Sequence, residues 1–233
     1  MRISLAVSVA LLMATPALAA DGENTEAWLT ATAEKVTFQA RKGPSLFRPG
    51  FVIGEYTGSF KAVASSTSAT GVFNSGKAKA SIDVERPGMT SVTAECKGGQ
   101  SRLHFGWITF KRDKLSYVCR YGGAAPAGAE FALTQAKGGF LAQLSQPQRA
   151  AELAFGDITL RAETKYISGL PLSSGGANSY VISRPDGVVV GGLQTNGFRP
   201  VFWLPRQPGP ERDAVALMAV TLFAFQDPGR PDR

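Results

Sequence analysis

Along most of this chain, hydrophobic and polar positions alternate in short runs. The alternation gives way to continuous apolar sequence at Leu5–Met13 and at Ala214–Phe225, AVALMAVTLFAF. Period-two alternation bounded by Gly, Pro and polar clusters predicts half-buried strands. On that basis strands are expected at Val36–Ala40, at Phe51–Val63 with bends at Gly54 and Gly58, and at Ala69–Phe73, Ala78–Glu85 and Thr90–Glu95. Further strands are expected at Leu103–Lys111, Lys114–Tyr121, Glu130–Thr134, Ala151–Phe155, Ile158–Ile167, Ser179–Ser183, Val188–Leu193 and Phe198–Leu204. Arg41–Gly50, Gly122–Gly128 and Ser168–Asn178 read as loops, and Lys137–Arg149 fits either a helix or a loop. Arg112-Asp113 predicts one hairpin turn, and Arg184-Pro185-Asp186-Gly187 another.

The second apolar run predicts a helix over residues 211–225. Pro210 suits a first helical turn, Glu211 and Asp213 complement the positive end, and Pro228 stops it. Thr221 is its one weakly polar interruption, and Leu217, Met218, Leu222 and Phe223 lie on different faces. A helix apolar all round must be enclosed, and this one is shorter than the roughly 20 apolar residues a bilayer span needs. Regular short strands plus one such helix predict a mainly β fold: a closed or nearly closed antiparallel barrel of about a dozen strands around a buried C-terminal helix. A helix lying exposed on a membrane surface or partner is the disfavoured alternative, because such helices keep a charged face.

The first apolar run has another meaning. Arg2, the core Leu5–Met13 and the small-residue site Ala17-Leu18-Ala19 predict a signal peptide over residues 1–19. The mature chain is then expected to be exported, periplasmic or extracellular, with no transmembrane span. It divides into a polar N-terminal arm over 20–35, whose Asp21–Lys35 reads as a short helix or a loose segment, one barrel-like domain over 36–228 and a tail over 229–233. Loss of residues 1–19, whose one charged side chain is Arg2, takes the formal charge from +7 to +6. An exported chain does not meet nucleic acid, so the basic balance points to solubility, anionic lipid or acidic polysaccharide. Cys96 and Cys119 are expected to form a disulfide. If Leu103–Lys111 lay between their strands in a meander, the cysteines would sit about 9–10 Å apart, too far to bond. The first strand must then pair elsewhere.

Candidate chemistry is sparse. His104 is the only histidine and lies in an apolar strand-like run, LHFGW. One histidine and two cysteines fall short of a four-ligand zinc site, so no metal and no cofactor is expected. Glu85, Glu95, Glu130, Glu152, Asp157 and Glu163 are scattered over strands, which solvated strand faces explain. The five Gly-Gly pairs do not open helices as a phosphate cradle requires; turns and bulges account for them, with a bulge expected at Gly191-Gly192. Lys111, Arg112 and Lys114 at one hairpin tip, and Lys35, Arg41, Lys42 and Arg48, are the basic clusters that anionic lipid or polysaccharide would meet.

The hairpin SYVISRPDGVVVGGL, the apolar VFWLP of Val201–Pro205 and the run RDAVALMAVTLFAF together resemble the tubby, LURP-one-related and phospholipid scramblase group. The resemblance implies a closed antiparallel sheet around a central C-terminal helix. It covers roughly the last 60 residues by motif and the earlier strands by pattern. The chain departs from the group in lacking an acidic calcium loop and a phosphoinositide-binding set, and a shared fold does not carry function. The expected role is a non-enzymatic envelope protein, a binding or structural module for an anionic or amphiphilic ligand. The alternative is a periplasmic hydrolase with paired carboxylates.

Overall fold

The computed structural model describes residues 22–45, 48–63, 79–98, 115–135, 149–165, 179–195 and 199–225. Helix α1 (Gly22–Thr32) leads into β1 (Ala33–Thr37), β2 (Gln39–Ser45), β3 (Arg48–Ile53), β4 (Tyr56–Val63), β5 (Lys79–Arg86) and β6 (Met89–Gly98). There follow β7 (Leu115–Gly123), β8 (Glu130–Gln135), β9 (Arg149–Phe155), β10 (Ile158–Thr164), β11 (Tyr180–Ser183), β12 (Val189–Gln194), β13 (Val201–Pro205) and the terminal helix α2 (Pro210–Ala224).

The 13 strands form one antiparallel sheet in the order β1-β13-β12-β11-β10-β9-β8-β7-β6-β5-β4-β3-β2. From β2 to β13, each strand pairs with its neighbours in sequence. The two edge strands, β1 and β2, are separated in sequence by Phe38 alone. One stretch of chain therefore joins both edges of the sheet: β1 pairs with β13, and β2 pairs with β3. At the changeover the Phe38 N–H donates to the Pro200 carbonyl at 3.0 Å. The result is a nearly closed up-and-down barrel, which leaves little sheet edge to template foreign strands.

Three strand assignments differ from the sequence expectation. Val36–Ala40 is not one strand but spans the end of β1, Phe38 and the start of β2. Phe51–Val63 is a hairpin, with Ile53 opposite Tyr56. Its turn rests on Gly54, whose φ of +59° is a left-handed conformation that glycine adopts without steric cost. Arg41–Gly50, expected as a loop, contains the end of β2 and the start of β3. Gln39–Ser45 pairs with β3 but is exposed on nearly every residue, so no alternation marks it.

Inward-facing residues of the strands form one apolar cluster with α2. From Arg212 to Leu222 every residue of α2 is buried, with Met218 and Ala219 at 0 % exposure. The helix meets β4 and β5 on one side and β9, β10, β12 and β13 elsewhere. The Phe223 ring lies 4.8 Å from Phe38, 5.8 Å from Phe60 and 5.9 Å from Phe202, so the β1–β2 junction, β4 and β13 close around it. Leu217 and Leu222 are buried in the same cluster. Thr221 is accommodated because its hydroxyl donates to the Leu217 carbonyl at 2.8 Å and lies 2.7 Å from Tyr121 Oη.

Cys96 and Cys119 stand directly opposite each other on β6 and β7 and are joined by a disulfide inside the core. The spacing problem of a meander does not arise, because β6 pairs with β7 itself; Leu103–Lys111 lies outside the described residues. Closing a loop of this size stabilises the fold by about 3 kcal/mol in the chain-entropy model. The segment read as a polar arm contains α1, which packs on the outside of the barrel through Leu29 and, beyond its last turn, Ala33. The pair Gly191-Gly192 serves both helices. Side chains alternate across a strand, and a Cβ on Gly191 would collide with Val215 of α2. Gly192 turns to the opposite face, between Val181 and Trp203 in the ladder, where α1 packs. The register shift expected at this pair falls one step earlier, beside Ile182 and Ser183.

Candidate functional site

Charged residues converge at the barrel end where α2 begins. The helix opens at Gly209, with Pro210 in its first turn and no side-chain cap. Its next residues are buried and charged: Arg212 is 5 % and Asp213 9 % exposed. A buried charge is tolerated only when paired and hydrogen-bonded, and the surrounding turns supply the partners.

Asp213 accepts from Tyr56 Oη at 2.8 Å and from Arg86 Nε at 2.7 Å on one oxygen, and from Arg86 Nη2 at 2.8 Å on the other. Arg212 donates from Nε and Nη2 to the two oxygens of Glu55 at 2.6 and 2.8 Å. The Arg212 Nη2 also meets Glu34 Oε2 at 2.8 Å, and Nη1 donates to the Pro205 carbonyl. At the rim, Arg184 forks onto Glu211 at 2.6 and 2.8 Å. These are planar, bidentate guanidinium–carboxylate pairs, the strong form of the charge-assisted hydrogen bond. They fasten the start of α2 to β1, to the β3–β4 turn, to β4, β5 and β13, and to the turn before β12.

Between these groups lies a half-open pocket of about 250 Å³ lined by Glu55, Tyr56, Arg86, Pro87, Pro208, Gly209, Arg212 and Asp213. The hydrogen bonds from Arg212 hold the Glu55 carboxyl below its ordinary range. Burial, and then the bond it gives Asp213, push the Tyr56 hydroxyl above its ordinary value. Bonding to Asp213 and to Glu55 keeps Arg86 and Arg212 charged. A carboxylate held down by a guanidinium is a weak base at neutral pH, and a phenol held protonated is a weak nucleophile. The arrangement is well suited to locking a helix and poorly suited to moving protons.

Of the sequence candidates, none among the described residues lines this pocket. Lys111, Arg112, Lys114 and His104 lie outside the described residues. Glu130 pairs with Arg120 at 3.2 Å and Glu152 with Arg161 at 3.1 Å, while Glu85 accepts from Thr57 at 3.3 Å. Those carboxylates occupy separate strands and do not line the pocket. Of the second basic cluster, Arg48 pairs with Asp83, Lys35 sits 5.3 Å over the Trp203 ring, and Arg41 and Lys42 are exposed on β2. Among the described residues no three His, Cys, Asp or Glu side chains are grouped to hold a metal ion. Sequence reasoning missed Glu55, Tyr56, Arg86 and Arg212. The available signal was Arg212-Asp213 itself, a charge pair opening a helix that must be enclosed.

The fold and the site define a helix-centred, nearly closed antiparallel barrel with an ion-paired cluster at one end. No family model matches the chain, and no curated protein or solved structure matches it. Among the described residues no helix is long and apolar enough to cross a membrane.

Proposed function

We propose that this protein is an exported, non-enzymatic envelope component, a binding or structural module for an anionic or amphiphilic ligand such as lipid. One observation carries the reading: in the pocket at the start of α2, both carboxylates are clamped bidentately by arginines. Groups bound in this way hold the barrel together and have little capacity left for acid–base work. The signal-like N-terminus and the disulfide support an oxidising compartment outside the cytoplasm, and the net charge of +6 after loss of Arg2 favours anionic ligands.

A hydrolase with paired carboxylates is the second reading, favoured by one fact: Glu55 and Asp213 line the same pocket. Native mass spectrometry of protein released from the envelope separates the two. The binding reading expects a co-purifying amphiphile. A clean apo mass, together with glycoside or ester hydrolysis abolished by Glu55→Gln, would replace it with the hydrolase.

A further inference from the structure

The outer face of the barrel carries a second apolar cluster, separate from the core: Leu29 and Ala33 packed on Val181 and Trp203. Its floor is read directly from the ladder. Lys35 stands opposite Trp203, Trp203 opposite Gly192, and Gly192 opposite Val181. These four positions face outward in one row. Because Gly192 has no side chain, the row is a trough walled by Trp203 and Val181. Helix α1 lies over it, and Leu29 is the one large apolar residue of α1 that is fully buried there. Besides Leu29, the helix is held by the buried Thr25 and by Arg206, whose side chain donates to the Thr30 carbonyl at 2.8 Å, while Trp28 is 39 % exposed.

Trp203 is 1 % exposed, yet its indole Nε1 has no hydrogen-bond acceptor among the described residues. A sealed donor without an acceptor is rare in a native structure and calls for a reason. At the rim of the same trough, the Lys35 ammonium sits 5.3 Å over the indole ring. An apolar trough, an idle N–H and a cation at the rim together complement one chemistry: a single acyl chain ending in a carboxylate.

We propose that the trough under α1 is the ligand site, that it takes a fatty-acid-type anion, and that α1 is the strap that covers it. The chain replaces Leu29 on Val181 and Trp203, a carboxylate oxygen accepts the indole N–H, and the negative charge is met by Lys35. This assignment rests on the reading of the protein as an amphiphile binder and names the place where binding occurs. The ligand and Leu29 compete for one surface, so loosening the strap tightens binding.

The test is calorimetric titration of dodecanoate into the purified protein and three variants, each checked for folding by its thermal melt. Leu29→Ala is expected to bind about tenfold more tightly, because less of the strap competes. Trp203→Phe keeps the ring and removes the donor, with an expected loss of about three- to tenfold. Lys35→Gln, a surface change that leaves the core untouched, is expected to lose about fivefold. In the wild-type protein, hydrogen exchange of residues 22–32 should quicken on binding while that of α2 stays unchanged. Dodecanoate affinity indifferent to both Trp203→Phe and Lys35→Gln would overturn the site and leave the broader binding reading standing. No binding to either wild type or Leu29→Ala would overturn the site outright. The broader reading is then judged separately, by the masses of envelope-derived protein.

Discussion

A Cβ placed on Gly191 would stand 2.6 Å from Val215 Cγ1 and 2.5 Å from the Trp203 carbonyl oxygen. Glycine at this position is thus what lets α2 approach β12. Gly191→Ala is expected to destabilise the fold by about 1–3 kcal/mol through overpacking. Val215→Ala in the same chain should recover part of that loss, because the two sites share one contact. Urea denaturation of the four members of the cycle measures the coupling. Strict additivity would mean that the helix does not press on β12 here.

Breaking the lock at the start of α2 should cost more than ordinary surface changes. Asp213→Ala leaves Arg86 and Tyr56 facing each other without their shared carboxylate. Removing one partner of a buried pair costs about 3–5 kcal/mol, and Arg86 is partly solvated, which places the expected loss near the lower figure. The double variant Arg86→Met, Asp213→Leu should recover stability relative to Asp213→Ala alone. Chemical denaturation decides it; a loss below about 0.5 kcal/mol, the range of ordinary surface substitutions, would mean the pair is dispensable.

The same cluster sets a pH dependence. The folded-state pKa of Glu55 is depressed, so its contribution is present above the unfolded carboxylate value, near 4.3, and fades as pH falls through the folded value. The phenols of the buried Tyr56 and Tyr117 and of the half-buried Tyr121 have raised values, chiefly through removal from solvent. Their contribution is complete below the unfolded value, about 10, and is lost as pH rises beyond it. Melting temperature should therefore hold through neutral pH and fall at both extremes. Glu55→Gln should flatten the acid limb, and Tyr56→Phe should soften the alkaline one. Acid limbs that superimpose for wild type and Glu55→Gln would remove Glu55 from the account.

Leu217 is 1 % exposed in the middle of α2. Leu217→Asp would bury an unpaired charge, which costs at least several kcal/mol and is expected to unfold the barrel. Circular dichroism and size-exclusion chromatography read the outcome. A folded, monodisperse Leu217→Asp protein would mean that this position reaches water.

The helix was legible because Ala214–Phe225 is apolar on every face, a pattern with one structural meaning in a chain too short there to span lipid. The turn at Arg184–Gly187 was legible because Pro-Asp-Gly specifies its own backbone geometry. The hairpin within Phe51–Val63 was not: Gly54 turns the chain and Gly58 continues a strand, and a local pattern does not separate the two. β2 was hidden because an exposed strand shows no alternation. The charged cluster was hidden for a different reason. Glu55 and Arg212, like Tyr56 and Asp213, are separated by 157 residues, so only the closed barrel brings them together.

The central claim is that the strands enclose α2, and amide hydrogen exchange tests it most directly. The amides of Ala214–Ala224 should exchange only through global unfolding, among the slowest in the protein, while those of the externally packed α1 exchange through local opening. If the α2 amides exchange as fast as those of α1, the helix is not enclosed and the barrel has no centre.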